Sequence, residues 1–467
     1  MMEDIAKKLE KTLDSSPHWA EARYHRRRNQ TLQVQKGLVK QAKSAINGGV
    51  GFRALVDGAW GFSSTSDLSE NGLNKALKQA IECASSISQL KKAAVKKLPS
   101  TGLARGTFTL EGYDTLDKMP LEQKLQAVIS AEANTRGQSG SIHSASCAYN
   151  EIFEDKVVVT TDGANAISRL ARNEFRITAV AEKDGQMREG YQTVGRTGPW
   201  ECLFSDHSTE EYSEMAAKLA IELLSAPRVP GGVANLILSP AMVGILSHEA
   251  IGHTVEADFV MSGSVAAGKL GHDVASPLIT LCDGGKVVGG LHGGGDLQVD
   301  DEGVPSQNTV IIDKGKLSSY LHNRESAAYY GVEPTGNARA WLYSNEPLIR
   351  MRNTYIMPGD KSLTDIIEST EDGYLVDGPL GGQADATGEF MFAAQKVQRI
   401  EKGKLTKVYR GATISGQAFQ VLSTVDAVSK EFKLDLGSGY CGKGQPAKVD
   451  AGGPYIRCRA TIGGIQE

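Results

Sequence analysis

The stretch Leu246-Ser247-His248-Glu249-Ala250-Ile251-Gly252-His253-Thr254-Val255-Glu256 decides how the rest of the chain is read. Two histidines and a glutamate in close succession are the residue types with which zinc hydrolases work. Neutral imidazoles hold the ion, and a neighbouring carboxylate takes a proton from the water that attacks a carbonyl. The spacing is unusual. In an H-E-x-x-H helix the histidines are four residues apart and share a face, whereas here they are five apart. At ~100° per residue the second ring lies ~140° round from the first, so a regular α-helix cannot aim both at one ion. A π-bulge, or a kink at Gly252 where backbone freedom is most useful, would realign them, and such irregularities concentrate at functional sites. The competing reading is a buried helix whose histidines satisfy backbone carbonyls. Glu249 beside His248, the apolar lead-in of Met242, Val243, Ile245 and Leu246, and the acidic Glu256 and Asp258 beyond favour a metal.

Outward from the motif, 467 residues are enough for two or three domains with full cores. Net charge is −4 and no segment reaches the ~18 unbroken apolar residues of a membrane span. Met1 to Leu13 mixes Glu3, Asp4 and Glu10 with lysines, unlike a secretory signal. Six cysteines without a C-x-x-C pair fit a reduced, cytoplasmic protein. The near-neutral balance speaks against direct nucleic-acid binding, and the run His25-Arg26-Arg27-Arg28 reads as a solvated strand or loop end. The 52 glycines, often doubled, point to many tight turns between strands.

The fold class expected is α+β, with an N-terminal α/β region and a C-terminal domain rich in antiparallel sheet, the zinc-motif helix packed on it. Residues 5–13 read as a helix and 20–35 as a strand. Strands over 45–55 and 59–63, broken at Gly48-Gly49 and joined through Asp57-Gly58, form a hairpin. A helix over 74–86 follows, with Asp67 as its N-cap, and another over 120–135. Three strands, 141–153, 155–161 and 174–183, precede a helix over 209–224. Ala226-Pro227-Arg228-Val229-Pro230-Gly231-Gly232 reads as the domain boundary, dividing 1–228, with candidate subdomains 1–95 and 115–228, from 229–467. Beyond it come a strand over 233–238, the motif helix over 241–256, and strands over 279–282, 287–288, 309–313, 316–321, 396–401 and 404–408. Helical patches fall at 326–330, 363–369 and 423–428.

A catalytic zinc takes three protein ligands and keeps one open position. The chain offers His272, His292, Cys282, Cys441, Cys458, Glu256 and Asp258 as a third ligand. Glu256, three residues after His253, is placed to be a ligand or to orient that histidine. Cys441 is preferred, because Gly439-Tyr440-Cys441-Gly442-Lys443-Gly444-Gln445 is a flexible loop and Lys443 favours the thiolate.

His248 to Phe259 resembles the H-E-x-x-x-H signature of the TldD metallopeptidases, in the TldD/PmbA family once described as modulators of DNA gyrase. The similarity extends through Val50-Gly51-Phe52-Arg53, Trp60-Gly61-Phe62, Asp300-Asp301-Glu302-Gly303, Pro334-Thr335-Gly336-Asn337-Ala338-Arg339, Arg350-Met351-Arg352-Asn353-Thr354, Thr387-Gly388-Glu389-Phe390 and the Cys-Gly-Lys stretch at Cys441. The resemblance implies Zn2+ on His248, His253 and Cys441, Glu249 as general base, and a dimer. That dimer is either homodimeric or formed with a non-catalytic paralogue lacking the motif.

The reaction expected is hydrolysis of peptides or unfolded polypeptides, with Arg350 or Tyr440 as candidates beside the oxyanion and an extended substrate added to a sheet edge. Two alternatives remain at this stage: a zinc-containing, non-catalytic binding subunit, and a zinc hydrolase of a non-peptide amide.

Overall fold

The computed structural model describes residues 2–90, 95–285, 287, 290 and 292–464. Strand Trp19–Gln35 shows how the first half is built. Ala20, Ala22 and Tyr24 pack with Leu9, Leu73 and Leu77 of helices Met2–Leu13 and Glu70–Ser88. Leu32 and Val34, further along the same face, meet Val128 and Ala216 of helices Leu121–Gly137 and Thr209–Ser225. The helices therefore cover one face of a seven-stranded sheet, ordered 59–65, 38–56, 19–35, 142–160, 165–183, 105–109, with 186–197 beside 165–183.

Strand alternation sends Arg23, His25 and Arg27 to the opposite face, which the second half of the chain covers. The basic run expected to be a solvated end is therefore largely interior, with His25 at 1% and Arg27 at 2% exposure. Arg23 donates to the carbonyls of Leu342 and Asn345, and the Arg27 guanidinium lies 3.1 Å from the centre of the Trp341 ring. Arg53 bridges Glu21 and Glu302 at 2.8 and 2.6 Å, and Lys156 reaches both oxygens of Asp301 at 3.0 Å. The two halves meet through a buried charge network, beside small apolar clusters such as Leu110 and Leu170 with Leu297.

The second half is a ten-stranded sheet, ordered 316–317, 308–313, 281–284, 353–356, 450–464, 404–417, 389–401, 372–384, 232–238, with 427–434 beside 450–464. Strand 232–238 pairs with both 372–384 and 450–464, so five strands close into a ring. Pairing is antiparallel except at 353–355 with 450–452, and at 374–376 with 236–238. Against this sheet pack Met242, Val243, Leu246, Ala250 and Ile251 of the motif, in one core with Phe392, Val397, Ile414 and Ile456. Each of the larger side chains, Met242, Val243, Leu246 and Ile251, contributes about 1.5–3 kcal/mol on leaving water, which fixes the motif segment in place.

Several element boundaries differ from expectation. Residues 142–160 form one strand, not two, because Glu154 and Asp155 are paired inside the sheet with Arg172 and Arg26. The strand through Gly48-Gly49 is continuous over Leu38–Val56. Ser69, not Asp67, caps the helix at 70; Asp67 instead accepts from the Ser69 amide. The helix expected at 423–428 is Ala418–Ser423 followed by strand Ala427–Leu434. Of the strand expected at 287–288, Val287 is irregular and Val288 lies outside the described residues.

Candidate metal centre

The motif begins at Ser239, whose hydroxyl accepts from the Met242 amide and caps helix Pro240–Ile245, with proline in its first turn. From Leu246 the helix widens. Leu246–Gly252 is a π-turn, and the His253 amide donates to the His248 carbonyl, five residues back. The wider turn brings both imidazoles to one side, with ring centres 5.2 Å apart and planes at 80°. The irregularity demanded by the spacing is thus present, but Gly252 is not its hinge: its φ of −55° and ψ of −48° are ordinary helix. What the site uses is the missing side chain, since a Cβ on Gly252 would stand 1.9 Å from Met351 Sδ.

Cys441 arrives from a short strand, Tyr440–Gly442, paired with Pro446–Lys448. Its Sγ lies 3.1 Å from His253 Nε2, and one donor atom from each of His248, His253 and Cys441 falls within 4.8 Å of the others. The Cys441 segment is tied down on several sides. Arg350 donates to the carbonyls of Cys441 and Gln445, each at 2.7 Å. The Gln445 side chain accepts from the Trp341 amide and donates to the Glu346 carbonyl, each at 2.7 Å. Tyr440 donates to Glu174 at 2.6 Å.

Electrostatics distinguish this thiol from the other buried ones. Burial pushes Cys282 up to about 11 and Cys458 up to about 12. Burial would raise Cys441 too, yet the imidazoles of His248 and His253 outweigh it and lower that thiol to about 4. Burial likewise disfavours a charged His253, but Cys441 and Glu256 outweigh it and raise that imidazole to about 10. Both ring nitrogens of buried His248 lack a hydrogen-bond partner. Buried polar groups are normally satisfied, so a partnerless imidazole facing a second imidazole and a thiolate-prone cysteine has the donor set and the unmet valence that a metal ion fits.

Glu249 is half-buried, with its carboxylate 3.8 Å from His253 Nε2. Glu256 stands behind the cluster, its Oε2 2.9 Å from His253 Nδ1. Arg350 also stands behind it, its two terminal nitrogens donating to the Gln445 and Cys441 carbonyls while its buried Nε has no partner, and Tyr440 is turned to Glu174. The remaining candidates lie apart. Cys282 packs with Tyr355 and Leu434, Cys458 sits in the main core of the second half, His292 faces Asp296 at 2.8 Å, and His272 is exposed.

The family model of the PmbA/TldA metallopeptidase C-terminal domain matches residues 231–464, that of domain 1 residues 20–84, and that of the central domain residues 114–224. Metalloprotease MJ0996 of Methanocaldococcus jannaschii is 32% identical over 461 residues, covering 97% of this chain and 99% of that protein. The chain belongs to the PmbA/TldD metallopeptidase family. Within that family it is also similar to the zinc metalloprotease TldD homolog of Saccharolobus solfataricus, at 29% identity over 98% of this chain and 99% of that one. Its fold matches the crystal structure of TldE from Thermococcus kodakarensis with a TM-score of 0.79 and 21% identity, covering 99% of this chain and 100% of TldE. Among the residues around the cluster, sequence reasoning gave no role to Met351, quoted only within the family-like stretch 350–354, and missed Glu174. It noticed Lys443 only as a neighbour of the thiol; the structure gives that lysine three acceptors: Glu256, Asp258 and the Ile349 carbonyl.

Proposed function

We propose that the chain is a zinc metallopeptidase that cleaves peptides or unfolded polypeptides, with the ion held by His248, His253 and Cys441 and with Glu249 as general base. The observation that carries this reading is the convergence of two imidazoles and a low-pKa thiol around His248, whose buried nitrogens have no other partner. Two nitrogens and a sulfur are a donor set suited to zinc and leave a fourth position for water or substrate. The chemistry zinc supplies when bound is Lewis acidity towards a scissile carbonyl and acidification of water.

The protein's own residues do the rest. Glu249, half-buried beside His253, accepts the proton of the attacking water and returns it to the departing amine. Glu256 holds His253 through Nδ1 and leaves Nε2 for the ion. Arg350 and Tyr440 keep the Cys441 strand from drifting. Likeness to TldE supports assembly with a non-catalytic paralogue of that kind, with a homodimer as the other arrangement. The domains are proposed to be 1–228 and 229–467, with the chain associating with its partner through both. Six free cysteines suit the cytoplasm, and among the described residues no helix is long and apolar enough to cross a membrane.

The test is metal analysis of the purified chain together with incubation in an unstructured peptide mixture read by mass spectrometry. One zinc per chain with new peptide termini is expected; stoichiometric zinc without cleavage, alone and with a TldE-type partner, would sink the peptidase reading. Light scattering on the active species is expected to give twice the chain mass, and a fully active monomer would contradict the assembly.

A further inference from the structure

Lys443 follows the thiol Cys441 by two residues, yet its ammonium is not in solvent; the side chain is 12% exposed. It donates to Asp258 Oδ1 at 2.8 Å, to Glu256 Oε2 at 3.1 Å and to the Ile349 carbonyl at 3.1 Å, which uses all three of its hydrogens. The ammonium also lies 4.4 Å from the centre of the Phe259 ring. Glu256 Oε2 is the same atom that receives His253 Nδ1 at 2.9 Å, and Glu256 Oε1 has no partner at all. Among the described residues, the lysine is therefore the one Lys or Arg side chain that pairs with the buried carboxylate behind His253, and it is carried by the loop that delivers Cys441.

We infer that Lys443 is a positioning residue that latches the Cys441 loop onto the His253 turn and holds Glu256 as the acceptor for His253 Nδ1, fixing both the thiol and the imidazole tautomer for the metal. The inference rests on the zinc reading above. Physically, a buried carboxylate with one unsatisfied oxygen is costly unless a charge stands against it. Without the ammonium, the buried Glu256 carboxylate would keep only its contact with His253, and among the described residues no other hydrogen bond or ion pair would join the Cys441 loop to residues 256–259. A lysine that merely stapled the loop would affect folding stability and leave the ligand geometry alone. A latch acting on two ligands changes the geometry of both.

The experiment replaces zinc with cobalt(II), whose bond to a thiolate gives a near-ultraviolet charge-transfer band, in the full chain and in Cys441→Ser, Lys443→Met, Lys443→Arg and Asp258→Asn. Cobalt affinity is measured against a chelator and stability of the metal-free forms by thermal unfolding. In the parent chain the band is expected and Cys441→Ser abolishes it; if the parent shows no band, the metal reading itself fails and the latch falls with it. Given the band, Lys443→Met is expected to weaken cobalt binding by about 10- to 100-fold, as loss of a partner behind a ligand does, and to shift or weaken the band. Lys443→Arg restores part of both. Asp258→Asn, which alters only the more exposed end of the latch, moves affinity the same way by a smaller factor. Lys443→Met with the parental band and affinity overturns the latch while leaving the zinc reading intact. Should Lys443→Met not fold, an unchanged affinity in Asp258→Asn overturns it.

Discussion

The roles proposed for Glu249 and Cys441 are separable, and single substitutions tell them apart. Glu249→Gln leaves the three donor atoms in place, so zinc content is expected to stay at the parental level while peptidase activity falls about 100- to 10,000-fold, the usual worth of a general base. Both quantities are read on one sample, by metal analysis and by peptide cleavage. Cys441→Ser is expected to lose zinc on dialysis, whereas Cys282→Ser and Cys458→Ser keep it, because those thiols sit in apolar clusters away from the histidines. Equal metal content in all three would remove Cys441 from the site. The histidines and Glu249 were legible in the sequence because they are neighbours along the chain. Cys441 lies 188 residues from His253; only loop flexibility and family resemblance pointed to it. Met351 and Glu174 act by contact across the fold, and no spacing rule reaches such residues.

At the scale of elements, the five-residue separation of His248 and His253 demanded a departure from the α-helix, and the π-turn supplies it through an i to i+5 bond. The turn in its turn needs a glycine beneath Met351. Gly252→Ala would place a methyl 1.9 Å from Met351 Sδ, and such overpacking costs about 1–3 kcal/mol. Thermal unfolding of the metal-free variant is expected to show that loss, and Met351→Ala in the same chain to recover part of it. An unchanged melting temperature for Gly252→Ala would mean the thioether moves aside freely. Hairpins were legible for a related reason. Asp57-Gly58 and Lys402-Gly403 have positive φ at both residues, 48° and 84°, 50° and 71°, as the tight turn between twisted strands requires. Strand 142–160 was read as two because Glu154 and Asp155 look like a turn until their arginine partners arrive from other segments. Strand Gln186–Thr197 escaped notice because its polar, glycine-bearing sequence carries no apolar alternation.

On the scale of the molecule, the seam between the halves is held by charges that only partners far along the chain can neutralise. Arg53 touches Glu21 within its own sheet and Glu302 across the seam. Arg53→Met would strand both carboxylates and is expected to cost about 3–5 kcal/mol in urea unfolding. Burial already raises the Glu21 carboxyl above its usual 4.5 even beside Arg53. In the variant that rise grows, so the folded state takes up protons more readily than the unfolded chain, and the deficit is expected to shrink as pH falls from 8 towards 5. A deficit independent of pH would argue that the lost packing of the arginine stem, not the stranded charge, is responsible. This seam is what turned the basic run at His25 inward, and composition alone could not announce it.

Strand 450–464 borders four others, 353–356, 404–417, 427–434 and 232–238. On the ribosome the first sheet has all its strands once residue 197 is made, but the second cannot close until this last strand emerges. Translation adds about 5–20 residues per second, so the 188 residues between His253 and Cys441 take about 10–40 s to synthesise. Throughout that interval the nascent chain carries His248, Glu249 and His253 without Cys441. Chain order thus acts as a timer: on the proposed ligand set, the donor cluster cannot be complete before Cys441 is made.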